Sequence, residues 1–166
     1  MLAALDETGH RIETVGRLHR LLARRNDPET IEITEFVEEI ARATLSSQAY
    51  AARARLTFSF AATCAAPPRQ ALPMGLIVGE LVTNSLKYAH PTGVRGEIMV
   101  SCRRNRDGGI DIEVADDGVG LPEGFQPELA DSLGLTLVRG LARQIGARLT
   151  FLRKSIGLTV RLSAPP

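Results

Sequence analysis

Apolar and polar positions alternate most regularly in GIDIEVA, residues 109–115, where Ile110, Ile112 and Val114 interleave with Asp111, Glu113 and Ala115. A period of two is that of a strand with one buried face. EIMVSCRR just before it reads as its hairpin partner, with Asp107-Gly108 in the turn. ARLTFSFAA alternates Leu56, Phe58 and Phe60 against Thr57 and Ser59, and ARLTFLRK and LTVRLS near the C-terminus predict a second hairpin.

Other stretches have helical periodicity. Residues 2–24 carry Leu5, Ile12, Val15, Leu18 and Leu22 on one face, with a heptad-like spacing through Leu5, Ile12 and His19. Such a stripe needs a partner, either the rest of the chain or a second copy. After the short extended piece IEIT, Thr34 is the expected N-cap of a helix over EFVEEIARATLSS. AAPPRQ reads as a loop, and residues 72–89 as a helix apolar around most of its circumference, hence largely buried. LPEGFQPELADSLG is a loop, and LTLVRGLARQIG a helix ending at Gly146. Hairpins mixed with helices predict an α+β fold, a two-layer α/β sandwich: a mostly antiparallel sheet with helices on one face, plus the long N-terminal helix.

Composition narrows the function classes. With 166 residues, 44% hydrophobic and 23% charged, the chain suits one ordinary soluble domain with a short appendage. A formal net charge of +1 recruits neither nucleic acid nor anionic membrane. Cys64 and Cys102 stand far apart in no metal-like spacing, so two reduced thiols are expected. No apolar run reaches the roughly 18 residues of a membrane helix.

The residues that disturb these patterns carry the chemistry. Glu80, Asn84, Lys87 and Tyr88 interrupt the buried helix, the first three on one face. Buried polar groups need partners or cost several kcal/mol (order of magnitude). Either they form an internal network or their face lines a site, where an Asn carbonyl suits Mg2+ and a Glu orients water. VADDGVGLP ends a strand in two carboxylates followed by glycines. Gly134 stands before a helix whose first N–H groups point back toward the loop, an anion site by geometry. Metal ligand, carboxylate acceptor and phosphate cradle together are the needs of Mg-ATP.

ELVTNSLKYAHP resembles the N box, VADDGVGLPEG the G1 box and SLGLTLVRGLARQIG the G2 box of the GHKL ATPases. Within these the chain is most similar to bacterial sensor histidine kinases, over residues 30–163. The resemblance implies the Bergerat-type ATP-binding fold. It implies that Asp116 accepts the adenine amino group and that Gly118 and Gly120 let the chain turn beneath the base. Asn84 would ligate Mg2+, Glu80 would orient groups around the metal and γ-phosphate, and Lys87 would lie near phosphate. Leu133, Gly134 and Leu135 would open the phosphate-binding helix. Tyr88 either packs near the nucleotide or only in the fold. Asp117 reads as a loop acid bonded to nearby backbone, or as a group that helps order the site.

Several residues depart from the family pattern. The lid, Leu121 to Leu133, is short and carries Glu123, Glu128 and Asp131 but no Lys or Arg. Arg139 and Arg143 are therefore candidates for γ-phosphate stabilisation, against a solvated helix face. Ser132 stands where many relatives have glycine. In Gly157-Leu158-Thr159 a Leu splits the family's Gly-Thr, leaving Thr159 as the candidate adenine reader. The absence of Trp excludes the branch with a Trp-x-Glu signature. Residues 1–29 resemble the second helix of a dimerisation and phosphotransfer region, and 30–166 the catalytic domain. The acceptor histidine is then expected outside or at the edge of this chain: His10 lies on the wrong helix, His19 on the packing stripe, and His90 in a loop or cap. Expected partners are ATP, a response regulator receiver domain and a second copy through residues 2–24, with no nucleic acid and no direct membrane contact. The expected location is cytoplasmic, on its own or as part of a larger membrane-bound kinase. The alternatives are a kinase-like docking adaptor without nucleotide binding and an anti-sigma-type serine kinase.

Overall fold

The computed structural model describes residues 12, 16, 20, 29–47, 52, 54–130 and 132–166. The helix expected over residues 2–24, with His10, His19 and the proposed dimer stripe, lies outside the described residues apart from three isolated positions.

Alternation builds the sheet. Strands β2 (Ala54–Phe60), β4 (Gly96–Arg104), β5 (Ile110–Asp116), β6 (Arg148–Arg153) and β7 (Leu158–Ala164) lie in the order β2-β4-β5-β7-β6. Only β2 and β4 run parallel; the other neighbours are antiparallel, as the sequence suggested. Ile98, Val100 and Cys102 of β4, Ile110, Ile112 and Val114 of β5 and Val160 and Leu162 of β7 are buried in the core. The intervening positions carry a charge ladder on the other face: Arg161 bonds Glu113 at 2.7 Å, and Arg103 reaches Asp111 at 3.4 Å.

Three helices cover the apolar face: α1 (Ile33–Ser47), α2 (Pro68–Tyr88) and α3 (Leu133–Gln144). A two-stranded antiparallel ribbon, β1 (Ile31–Glu32) with β3 (Ala65–Ala66), stands at the start of α1. Thr34 is not the N-cap. It lies inside α1, and the Glu32 carboxylate takes the capping role, accepting from the Thr34 hydroxyl at 2.8 Å and the Thr34 N–H at 3.4 Å. The helix thus starts two residues earlier than expected. Likewise α2 starts at Pro68 rather than in a loop, because proline suits the first helical position, where its missing N–H costs nothing. In α3, Ser132 is the N-cap and accepts from the Leu135 N–H at 3.3 Å, so Gly134 belongs to the first turn instead of preceding it.

The centre of the helical layer is tight. A Cβ on Gly75 of α2 would stand 2.5 Å from the ring of Phe36, which is fully buried on α1. Gly75→Val should therefore overpack this contact and destabilise the fold by about 1–3 kcal/mol. A urea midpoint unchanged from wild type would refute this close approach. Among the described residues no helix is long and apolar enough to cross a membrane.

Candidate functional site

Strand β5 ends in Asp116, which shares its parity with Val114 and so faces the helices. Three elements hold its carboxylate. Oδ1 accepts from the Gly118 N–H at 3.1 Å and the Leu158 N–H at 3.2 Å, and Oδ2 from the Ser85 hydroxyl of α2 at 3.1 Å. The chain then runs against the end of α2, where the Val119 N–H donates to the Ala89 carbonyl at 2.9 Å. Only glycine fits at 118, since a Cβ there would overlap the Ala89 carbonyl. Gly157 faces the same limit from the other side: its φ is +76°, a Cβ would meet the Asp116 carbonyl, and its N–H donates to the Gly118 oxygen at 2.8 Å. Gly120 follows with φ +69°.

Asp117 does bond nearby backbone. Its Oδ1 accepts from the Glu97 N–H at 2.8 Å and lies 2.9 Å from His90 Nε2. His90 and Lys87 border a cavity of about 130 Å3 at the C-terminal end of α2, together with Ser85, Leu86, Pro91 and Ile98. Tyr88 is 68% exposed, so it fills no place in the core.

Asn84 and Glu80 lie one and two turns before Tyr88 on the helix. Glu80 is buried, with 8% exposure. The first turn of α3 packs against both. A Cβ on Gly134 would stand 3.1 Å from Glu80 Oε2 and 3.9 Å from Asn84 Oδ1. The helix N-terminus, with the N–H groups of its first turn, thus opens beside a carboxylate and an amide oxygen. Leu133 is 58% exposed and Leu135 half-buried on either side of Gly134.

Two expectations need correction. Thr159 shares its parity with Arg161 and Ser163, so strand alternation turns it to the face opposite Asp116. The β7 residue at the carboxylate is Leu158, through its backbone. Thr159 Oγ1 is the one buried side-chain polar atom without a hydrogen-bond partner among the described residues. Arg139, in turn, forms no solvated face and is engaged with the lid: it donates to the carbonyls of Pro127 and Ala130, both at 2.7 Å. Arg153 grips the other part of the lid, donating to Phe125 O at 2.7 Å and Leu121 O at 3.3 Å. Arg143 is exposed. The sequence reading missed Ser85, Leu158, Ala89 and Arg153. Only Ser85 carried a signal, as a hydroxyl beside Asn84 on an apolar helix.

The lid is therefore fastened from outside itself. Arg139→Ala should free its C-terminal part. Protease cleavage within residues 121–130 should then run roughly tenfold faster, equivalent to about 1.4 kcal/mol of local opening. Cleavage at the wild-type rate would refute the clamp.

Residues 70–166 match the family described as histidine kinase-, DNA gyrase B-, and HSP90-like ATPase. The chain belongs to this ATPase family. The match spans α2, β5, the lid and α3, the elements that bring Glu80, Asn84, Asp116 and Gly134 together. Among curated relatives, the sensor histidine kinase PdtaS of Mycobacterium tuberculosis is 40% identical over 67 residues, 40% of this chain and 13% of that protein. The sensor protein NarQ homolog of Haemophilus influenzae is 33% identical over 119 residues, 68% of this chain and 20% of that protein. The chain thus spans a fifth or less of these two relatives. In fold, it is similar to the histidine kinase domain of the Erythrobacter litoralis EL346 blue-light activated histidine kinase, with a TM-score of 0.81 at 24% identity, covering 96% of this chain and 74% of that one. The ATPase-family domain found here is of the ATP-binding catalytic kind that sensor histidine kinases carry.

Proposed function

We propose that this domain binds Mg-ATP between α2, β5, the lid and α3, and passes the γ-phosphoryl to a histidine outside or at the edge of this chain. The observation that carries the reading is the approach of Glu80 and Asn84 to Gly134 on the C-terminal half of α2, with the threefold-held Asp116 carboxylate against Ser85, the residue after Asn84. The Gly134 side would meet phosphates and the Asp116 side a base.

Each residue has a role in this reading. Asp116 accepts the adenine amino group. The N–H groups at the start of α3 receive phosphate oxygens. Tyr88, exposed at the end of α2, covers the base, and Lys87 neutralises phosphate. Glu80 orients the groups around the γ-phosphate. Among the described residues no cluster of three His, Cys, Asp or Glu is set to hold a metal by itself. The donor set nevertheless fits Mg2+, which takes one or two protein oxygens and completes its shell with water and phosphate: Asn84 Oδ1 would be the ligand, with Glu80 beside it. Bound there, the ion would neutralise charge on the β- and γ-phosphates. The rest of the task is positioning, as phosphoryl transfer asks for little covalent chemistry from the protein.

We further infer that residues 1–29 form part of a dimerisation region and 30–166 the catalytic domain. The partners are a second copy through residues 2–24 and a response regulator receiver domain, and the location is cytoplasmic. The relatives support this, as sensor kinases by their names.

The reading is tested by mixing the chain with a histidine-bearing dimerisation helix and γ-labelled Mg-ATP. Label lost in acid and retained in alkali is expected on the helix. Acid-stable label on a partner's serine would favour an anti-sigma-type kinase. Failure of the folded chain to bind nucleotide by calorimetry would leave a docking adaptor.

A further inference from the structure

His90 lies just past the end of α2 and meets no group of the nucleotide site directly. It is half-buried, and its ring rests on the start of β4, where a Cβ on Gly96 would overlap it. Its Nε2 stands 2.9 Å from Asp117 Oδ1. The same oxygen accepts from the Glu97 N–H at 2.8 Å, and the Asp117 N–H donates to the Glu97 carbonyl at 3.3 Å.

These contacts decide where the chain leaves the sheet. Ile98 stands opposite Asp116 in the antiparallel ladder, so Glu97 and Asp117 form the next pair. There the Asp117 side chain takes the Glu97 N–H, the place of a strand carbonyl, and the backbone turns away one residue after Asp116. Gly118 follows and supplies the N–H that holds Asp116 Oδ1 at 3.1 Å. Gly118 itself is pressed against the Ala89 carbonyl, which accepts from the Val119 N–H at 2.9 Å. Ala89 and His90, adjacent in sequence, thus meet the turn on both sides of Gly118.

We propose that His90 is a positioning residue for the nucleotide base: its Nε2–H donates to Asp117 Oδ1 and locks the turn whose Gly118 N–H aims the Asp116 carboxylate. The inference rests on the base site proposed above. Asp117 is exposed, so water competes for its carboxylate and for the Glu97 N–H. His90 fixes the one rotamer that keeps Oδ1 on that N–H. The ring is itself confined between the end of α2 and Gly96, so holding the bond costs little further rotamer freedom. His90 therefore acts at a distance from the base, through Asp117 and then the Gly118 N–H. If the turn shifts, Asp116 Oδ1 keeps only the Leu158 N–H.

The test is the ADP affinity of the whole chain, read by calorimetry well below its unfolding temperature. His90→Ala should weaken ADP about tenfold, and Asp117→Ala by a similar factor. The double variant should lose no more than the larger single loss, because both changes remove one contact. His90→Gln, whose amide nitrogen can donate from near the place of Nε2, should return to within about threefold of wild type. A packing role alone gives the opposite pattern: His90→Gln would bind no better than His90→Ala, Asp117→Ala would bind like wild type, and the losses would add. Any of these results would overturn the proposal, as would wild-type affinity in a folded His90→Ala chain. If His90→Ala does not fold, Asp117→Ala decides, since it alters only an exposed side chain. A wild-type chain that binds no ADP would instead overturn the nucleotide reading, and this inference with it.

Discussion

Asp116→Asn should weaken binding of ADP and of a non-hydrolysable ATP analogue by about 10- to 100-fold, about 1.4–2.7 kcal/mol, while leaving the fold nearly intact. The reason lies in how the carboxylate is held. Oδ1 accepts two backbone N–H groups, so an asparagine must keep its oxygen there. Its amide nitrogen then takes the place of Oδ2 beside Ser85. Ser85 can reverse its hydroxyl from donor to acceptor at little cost. An adenine amino group cannot: it is a donor, and it would meet a second donor. The substitution thus separates the structural use of the carboxylate from the binding use proposed for it. Calorimetry reads the affinity and thermal denaturation the fold. Wild-type affinity in a folded variant would remove Asp116 from the base site. Lost affinity with a lost fold would mean that the carboxylate is chiefly a brace.

The sequence was legible where a residue's role depends on its own neighbours. The alternation through Ile110, Ile112 and Val114 placed Asp116 at a strand end, and the interruptions at Glu80 and Asn84 marked a polar face on a buried helix. The expected sandwich with helices on one face is the fold observed. Failures came where the partner is remote or is backbone. Ser85 reaches a carboxylate 31 positions away. Arg139 and Arg153 donate to lid carbonyls, and a carbonyl leaves no mark in a side-chain pattern. Thr159 failed for a different reason. A strand has a period of two, so matching a motif one position late moves the side chain to the other face. Ser132 carried its own explanation. Read as a departure from glycine, it is a good N-cap, and the helix begins there.

The other large effect is expected at Asn84. Asn84→Ala should abolish the Mg2+ dependence of nucleotide affinity and slow phosphoryl transfer to a histidine by on the order of 10²–10³-fold, about 2.7–4 kcal/mol of transition-state stabilisation. Asn84 is half-buried and one turn from Glu80, with its Oδ1 near the first turn of α3. Removing its amide leaves the apolar packing of α2 untouched, so the unfolding temperature should barely move. In this reading, the variant still binds the base through Asp116. Nucleotide alone should bind almost as before, while the extra affinity that Mg2+ gives in wild type should vanish. Asn84→Asp provides the contrast. It keeps an oxygen ligand but adds a negative charge beside Glu80, so Mg2+ dependence should persist while affinity for metal-free nucleotide falls through repulsion of phosphate. An Asn84→Ala chain that keeps both its Mg2+ dependence and its transfer rate would exclude Asn84 as the ligand. The metal would then have to rest on Glu80 and phosphate oxygens alone, and Glu80→Gln would become the variant in which the dependence disappears.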